Sequence, residues 1–316
     1  MKATLRHTAT LAVVFAGTLP AADSRLVGLV MPDATVIAGV NVTQAKTSPF
    51  GQYVLSLVAP DDPRLLALTA ATGFDPRKDV TDLLAATGGG GPAGGLVLAR
   101  GTFPLEAITA AAWAAGAAQE TYQDVTILKS PDGLQALAFL DSTLAVFGGP
   151  DSVKAAIGRR SPDARRLSSA VISRIGQVSA ANDAWVLTTV PPAGLHPPSA
   201  APAVPGLNLQ ALQQIRQAAL AVKFGANVRV AAQAQIDTAQ NAATLAGMLQ
   251  LVANMAQMQA QKNPAAAEFA KSVGIAADGS TVEVTFSIPE AQLQQLIETR
   301  QRGREMAPQP AGHKPL

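Results

Sequence analysis

Two tight turns inside "DVTILKSPDGLQALAFLDSTLAVFGG", residues 124–149, constrain this chain more than any other feature. Pro131 fixes φ and Gly133 admits a positive φ, while Asp141 and Ser142 suit a second reversal. Strands joined by so few residues run antiparallel. In "VKFGANVRVAAQAQI", Val228, Val230, Ala232, Ala234 and Ile236 share one face, with Arg229, Gln233 and Gln235 on the other. The segment "TVEVTFSI", after Asp278 and Gly279, alternates in the same way. Such alternation marks strands with one wet side. Further strands are expected at "ATVIAGVNV", "GGLVLARG" and "AWVLTTV".

Helices are predicted between these strands from apolar spacing and end signals. They cover "SPFGQYVLSLV", "PRLLALTAATG", "PLEAITAAAWAAG", "PDSVKAAIGRR", "LSSAVISRIGQVSA", "LNLQALQQIRQ", "TAQNAATLAGMLQLVANMAQMQAQ", "NPAAAEFAKSVG" and "PEAQLQQLIETR". The predicted class is α+β: mostly antiparallel sheet packed against helices, in two weakly similar halves, 23–160 and 161–304. Each half runs through strand, Ala-rich helix, strand, Asp-Gly turn and strand to a Pro-plus-acid helix start, Pro150 with Asp151 and Pro289 with Glu290. Six prolines in residues 191–206 mark an extended excursion, and the polar, Pro-rich residues 305–316 are expected to be a disordered tail.

Lys2 and Arg6 precede an uncharged run that ends in "LPAAD", the outline of a signal peptide over residues 1–22. The expected location is therefore periplasmic or secreted. Removing residues 1–22 takes two basic residues from 24 and none of the 22 acidic ones, which leaves a net charge of zero. A clustered basic face for nucleic acid or for an anionic membrane is not expected. With no cysteine, disulfides and thiolate metal sites are excluded, and core burial alone must hold the chain. No other stretch is long and apolar enough for a transmembrane helix.

The stretch "LLAATGGGGPAGGLVLARG" holds Gly89, Gly91 and Gly94 in G-x-G-x-x-G spacing. A dinucleotide fingerprint needs a helix immediately after the glycines, and strand follows here, so the segment reads as a connection between strands. Beyond His7, the histidines are His196 and His313, without partners at metal-ligand spacing. No catalytic, cofactor-binding or metal residue is assigned. In "FDPRKDVTD", Asp75, Asp79 and Asp82 would share a helix face, yet Asp75 suits an N-cap and Pro76 a first helical position. A hydrolase reading needs a cleft holding at least two of Asp75, Asp79, Asp82, Asp124 and Asp141. The run "RRSPDARR", with Arg159, Arg160, Arg165 and Arg166, reads as a solvated connection, with a grip on a phosphate or an acidic polymer as the competing reading.

The combination of "PDATVIAGVNVTQAKTSPFGQ", "GFDPRKDV" and "DGSTVEVTFSIPE" resembles exported, functionally uncharacterised α+β proteins of high-GC bacteria. That resemblance implies export and architecture, with no catalytic residues to carry over. The expected function is that of a non-catalytic envelope protein, a binding or scaffold module whose partner is an unknown envelope protein or an apolar ligand, with no cofactor. A carrier of an apolar ligand such as a lipid is the alternative, and the hydrolase the third. Met248, Leu251, Val252, Met255 and Met258 form a stripe at helical intervals. The stripe is expected to pack in the core, with a ligand groove as the alternative.

Overall fold

The computed structural model describes residues 22–57, 63–88, 94–191, 214–260 and 264–295. The proposed signal segment, residues 305–316 and nearly all of the proline-rich segment lie outside these ranges. The first half contains strands β1 (Ala34–Asn41), β2 (Val80–Gly88), β3 (Leu96–Gly101), β4 (Ala118–Tyr122), β5 (Val125–Lys129), β6 (Ala136–Asp141) and β7 (Leu144–Gly148). The second half contains β8 (Ala184–Thr188), β9 (Ile215–Lys223), β10 (Asn227–Ile236), β11 (Gly274–Asp278) and β12 (Thr281–Pro289). All twelve form one sheet, in the order β11-β12-β10-β9-β8-β1-β2-β3-β7-β6-β5-β4, and every adjacent pair is antiparallel. The class is α+β, as the turns and alternation predict.

The topology shows the likeness of the halves more clearly than residue identity does. Each half lays down three strands as a meander, leaves the sheet through helix, and returns to pair its last strand with its third. The halves meet where β1 pairs with β8, so they share one sheet. At that seam Gly39 stands opposite Trp185. A Cβ on Gly39 would lie 2.5 Å from the indole ring, so only glycine lets the buried Trp185 lie flat across the joint.

On one face of the sheet, α1 (Ser24–Val27), α7 (Pro150–Gly158) and α8 (Ser169–Ala181) seal the largest core cluster. Ile37, Leu84, Leu98, Ile127, Val146 and Leu187 point into it and are almost fully buried. On the opposite face, α4 (Pro63–Thr72) and α6 (Leu105–Ala114) cover a second cluster at the first-half end, around Phe74, Phe103 and Ile108. The long helix α9 (Ala239–Ala260) covers a third at the second-half end through Ala242, Leu245 and Ala246. The remaining helices are α2 (Val42–Thr47), α3 (Pro49–Leu57), α5 (Pro76–Asp79) and α10 (Pro264–Ser272), with helical residues at 290–295.

Two expectations are corrected. "LNLQALQQIRQ" does not end as a helix: Ile215, Arg216 and Gln217 belong to β9, where pairing with β8 and β10 overrides Ala- and Gln-rich helix propensity. "FDPRKDVTD" supplies only the four residues of α5 before Val80 opens β2. Asp75 does cap α5, as its position predicts.

Replacing Gly39 by Val forces atoms into the space of the Trp185 ring at the joint of the halves. The expected loss is about 3 kcal/mol, read from urea denaturation of parent and variant. An unchanged midpoint would show that the seam tolerates the side chain.

Candidate functional site

Register, read strand by strand, assembles one feature that no single segment displays. Ile275, Val284, Ala232, Leu220, Val186, Ala38, Ala85, Val97, Phe147, Leu137 and Leu128 are successive cross-strand partners, one on each strand from β11 to β5. The row crosses the face that carries α9 at one end and α4 with α6 at the other. Between those covers it is open: Leu220 is 44% exposed, Val97 38% and Phe147 44%. From β9 to β7 the open floor spans five strand spacings, roughly 24 Å. Scattered exposed apolar residues need no explanation, but a contiguous row does.

A cavity lies under each cover, and the row runs into both. The one beneath α4 and α6, about 460 Å³, is lined by apolar residues throughout, among them Leu68, Phe103 and Ile108 above and Val97, Leu137 and Phe147 below. The one beside α9, about 330 Å³, has Leu245 and Leu249 as its wall and Val186, Leu220, Ala232 and Val284 as its floor. Alanines at 38, 85 and 232 keep the floor low where larger side chains would fill it. Chemically the floor offers apolar contact and almost no hydrogen bonding, which suits a long apolar ligand.

The Met stripe lies elsewhere. Met248 is 46% exposed, Leu251 63%, Met255 54% and Met258 72%, with Val252 half-buried, so the expectation of core packing is corrected. Helix α9 has no charged residue in 22, so its sequence does not say which apolar face turns inward. The face with Ala242 and Ala246 does, because small residues allow close approach to the sheet. The stripe also does not line the cavity beside α9, whose helical wall is Leu245 and Leu249.

The carboxylates are dispersed and locally engaged. Asp75 is buried and accepts hydrogen bonds from the Arg77 backbone N–H and Nε, both at 3.0 Å. Its own backbone N–H donates to Asp79 at 2.8 Å, which makes a reciprocal cap. The Arg77 side-chain hydrogen bond, the largest influence, holds Asp75 below its ordinary 3.8 against the opposing effect of burial. Asp82 sits on β2 beside Thr81, Asp124 in the β4–β5 turn, and Asp141 accepts from Thr143 and pairs with Arg25. The shared helix face expected for Asp75, Asp79 and Asp82 is not formed. Among the described residues no group of three or more His, Asp or Glu is placed to hold a metal ion, and no helix is long and apolar enough to cross a membrane.

Two measurements test these placements. Met255→Asp leaves its carboxylate in water, so it is expected to change stability by less than about 0.5 kcal/mol; a circular dichroism melt that shows an unfolded variant returns the stripe to the core. Asp75→Ala loses a cap and an ion pair, at a cost of about 1–2 kcal/mol at pH 7. Because the folded pKa is lowered, this contribution is complete above pH 3.8 and is lost as pH falls through the folded value. Urea midpoints of parent and variant therefore converge on acidification below pH 3.8, and a gap that stays constant to pH 2 contradicts the assignment.

No family model matches the chain, and no curated protein matches it. Among solved structures it is similar to three crystal forms of the protein TP0453. Form III superposes with a TM-score of 0.55 at 11% identity over 86% of this chain and 97% of that one. Form I gives 0.53 at 12% over 87% and 96%, and form IV 0.52 at 11% over 86% and 95%. At such identities the likeness is one of fold: the α+β arrangement of this chain is shared with TP0453 over nearly its whole length.

Proposed function

We propose that this protein is an exported, non-catalytic binding module whose ligand is apolar, a lipid acyl chain or a compound of similar form. The observation that carries the reading is the cross-strand row, open at its centre and continuous with an apolar cavity at each end. Each methylene that such a floor withdraws from water contributes about 0.8 kcal/mol. A chain laid along roughly 24 Å of floor therefore gains enough to offset the cost of ordering it. The basic start and short apolar run of residues 1–22 support export. Export suits a carrier of molecules that water does not dissolve.

The test uses the purified protein and a fluorescent fatty acid. Val97 lies at the open part of the floor, so Val97→Asp places a solvated charge there and leaves the sealed core on the other face untouched. Saturable uptake by the parent is expected, weakened at least about tenfold in the variant, the effect of a carboxylate that must lose water when the ligand binds. Solvent extraction of the parent, followed by mass spectrometry, is expected to release an apolar compound. A parent that neither takes up the probe nor yields such a compound would end this reading.

A further inference from the structure

The run "RRSPDARR" follows α7, and the fold gives it partners that sequence distance conceals. Arg159, Arg160 and Arg166 line a hollow of about 290 Å³ together with Arg25 of α1. Leu140 and Leu144 form part of its wall. They lie on the same side of β6 and β7 as Ala138 and Val146, so the hollow opens on the sealed face, away from the apolar floor.

Charge in the hollow is strongly unbalanced. Among the described residues Asp141 is its only lining carboxylate, and Arg25 already pairs with it. Among the described residues, Arg159, Arg160 and Arg166 form no ion pair. Arg159 is half-buried and uses one donor on the Leu29 carbonyl at 3.1 Å, while Arg166 reaches the Ser161 carbonyl at 3.5 Å. A guanidinium has five N–H donors, so most of this donor capacity is unmatched by protein acceptors. Burial pulls the Arg159 pKa down, opposed by Asp33, so a bound anion would relieve a charge held away from water. Attraction to the C-terminal end of α7 accounts for basic residues at 159 and 160. It does not account for Arg25 and Arg166, which reach the hollow from α1 and from the connection to α8.

We propose that this hollow binds a phosphoryl group, carried by a free phosphate compound or by the headgroup of an anionic lipid. Three guanidiniums in excess of carboxylate match a dianion with three strong acceptor oxygens better than a carboxylate with two. The volume is several times the roughly 30 Å³ of one water, enough for the group with part of its hydration. The site is independent of the apolar floor and stands whether or not the floor takes a ligand.

The experiment titrates inorganic phosphate into the full chain by calorimetry, against chloride of equal ionic strength. In parallel, the protein is sedimented with phosphatidylglycerol vesicles and with phosphatidylcholine vesicles. The main variant is R160Q/R166Q, which removes two exposed side chains without ion pairs; R160Q alone replaces it if the double variant does not fold. R165Q is the control, because Arg165 does not line the hollow. Saturable phosphate binding, weakened about tenfold or more in R160Q/R166Q and kept in R165Q, supports the free-phosphate source. Sedimentation with phosphatidylglycerol but not phosphatidylcholine, lost in R160Q/R166Q and kept in R165Q, supports the headgroup. The proposal is overturned if the parent binds neither phosphate nor phosphatidylglycerol, if R160Q/R166Q binds as well as the parent, or if R165Q loses as much as R160Q/R166Q.

Discussion

The contact of Trp185 with Gly39 is the constraint on which the rest of the architecture depends. It lies at the pairing of β1 with β8, the joint that makes one sheet of two halves. Polar contacts at the end of that joint reinforce it. The Asn41 backbone N–H donates to the Asp183 carbonyl at 2.7 Å, and the buried Asp183 carboxylate accepts from Lys223 and from the Phe224 backbone N–H, each at 2.7 Å. Register fixed at this joint propagates outward, because slipping any strand by one residue would turn its buried side chains to solvent. The cross-strand row is a consequence: it exists only because Ala38 stands opposite both Val186 and Ala85.

The two faces of the sheet answer different physical demands. One is closed over β5 to β9 by α1, α7 and α8, where Ile37, Leu98, Ile127 and Val146 are almost fully buried, and turns polar beyond them at Arg229, Gln233 and Glu283. The other is closed, among the described residues, only at its ends, where Phe103, Phe74 and Ile108 or Leu245 and Ala246 pack against strands. Both outer edges are blunted against further pairing. β4 carries Glu120 in a bridge to Lys129 and Lys154, and β11 is a short Gly-Ile-Ala-Ala-Asp strand.

Sequence revealed the interior of the sheet better than its margins. The β5–β7 meander, β10 and β12 were legible because turn residues and two-residue alternation coincide there. The edge strands β4 and β11 were not. β4, "AQETY", is largely polar, and its hairpin turns through Gln123 and Asp124 at positive φ without a glycine to announce it. β11 is too rich in Ala and Gly to alternate visibly. The inward face of α9 was illegible because the helix is apolar or neutral on all sides, so Met and Leu at 248, 251, 255 and 258 looked as suited to a core as Ala242, Leu245 and Ala246. The candidate floor was invisible for a different reason: its members come from strands as far apart in the chain as Ala38 and Val284. Alternation gives the face of each strand but not its neighbours. The basic hollow was half legible, through "RRSPDARR", while the contribution of Arg25 arises only in three dimensions.

The matched topology of the halves has a consequence for what each would be alone. Separated at the connection between α7 and α8, either half would carry its first strand, β1 or β8, as a bare edge of central-strand character. β1 is eight residues long, without a charged side chain, and apolar on both sides of the sheet. An edge like that seeks a partner strand, and in a solution of isolated halves the nearest complement is another copy of the same half, paired antiparallel about a twofold axis. The intact chain carries out that association within one molecule. Covalent fusion thus makes that joint independent of concentration, and it leaves the two halves free to differ: three of the four arginines of the basic hollow come from the first, the uncharged helix α9 from the second.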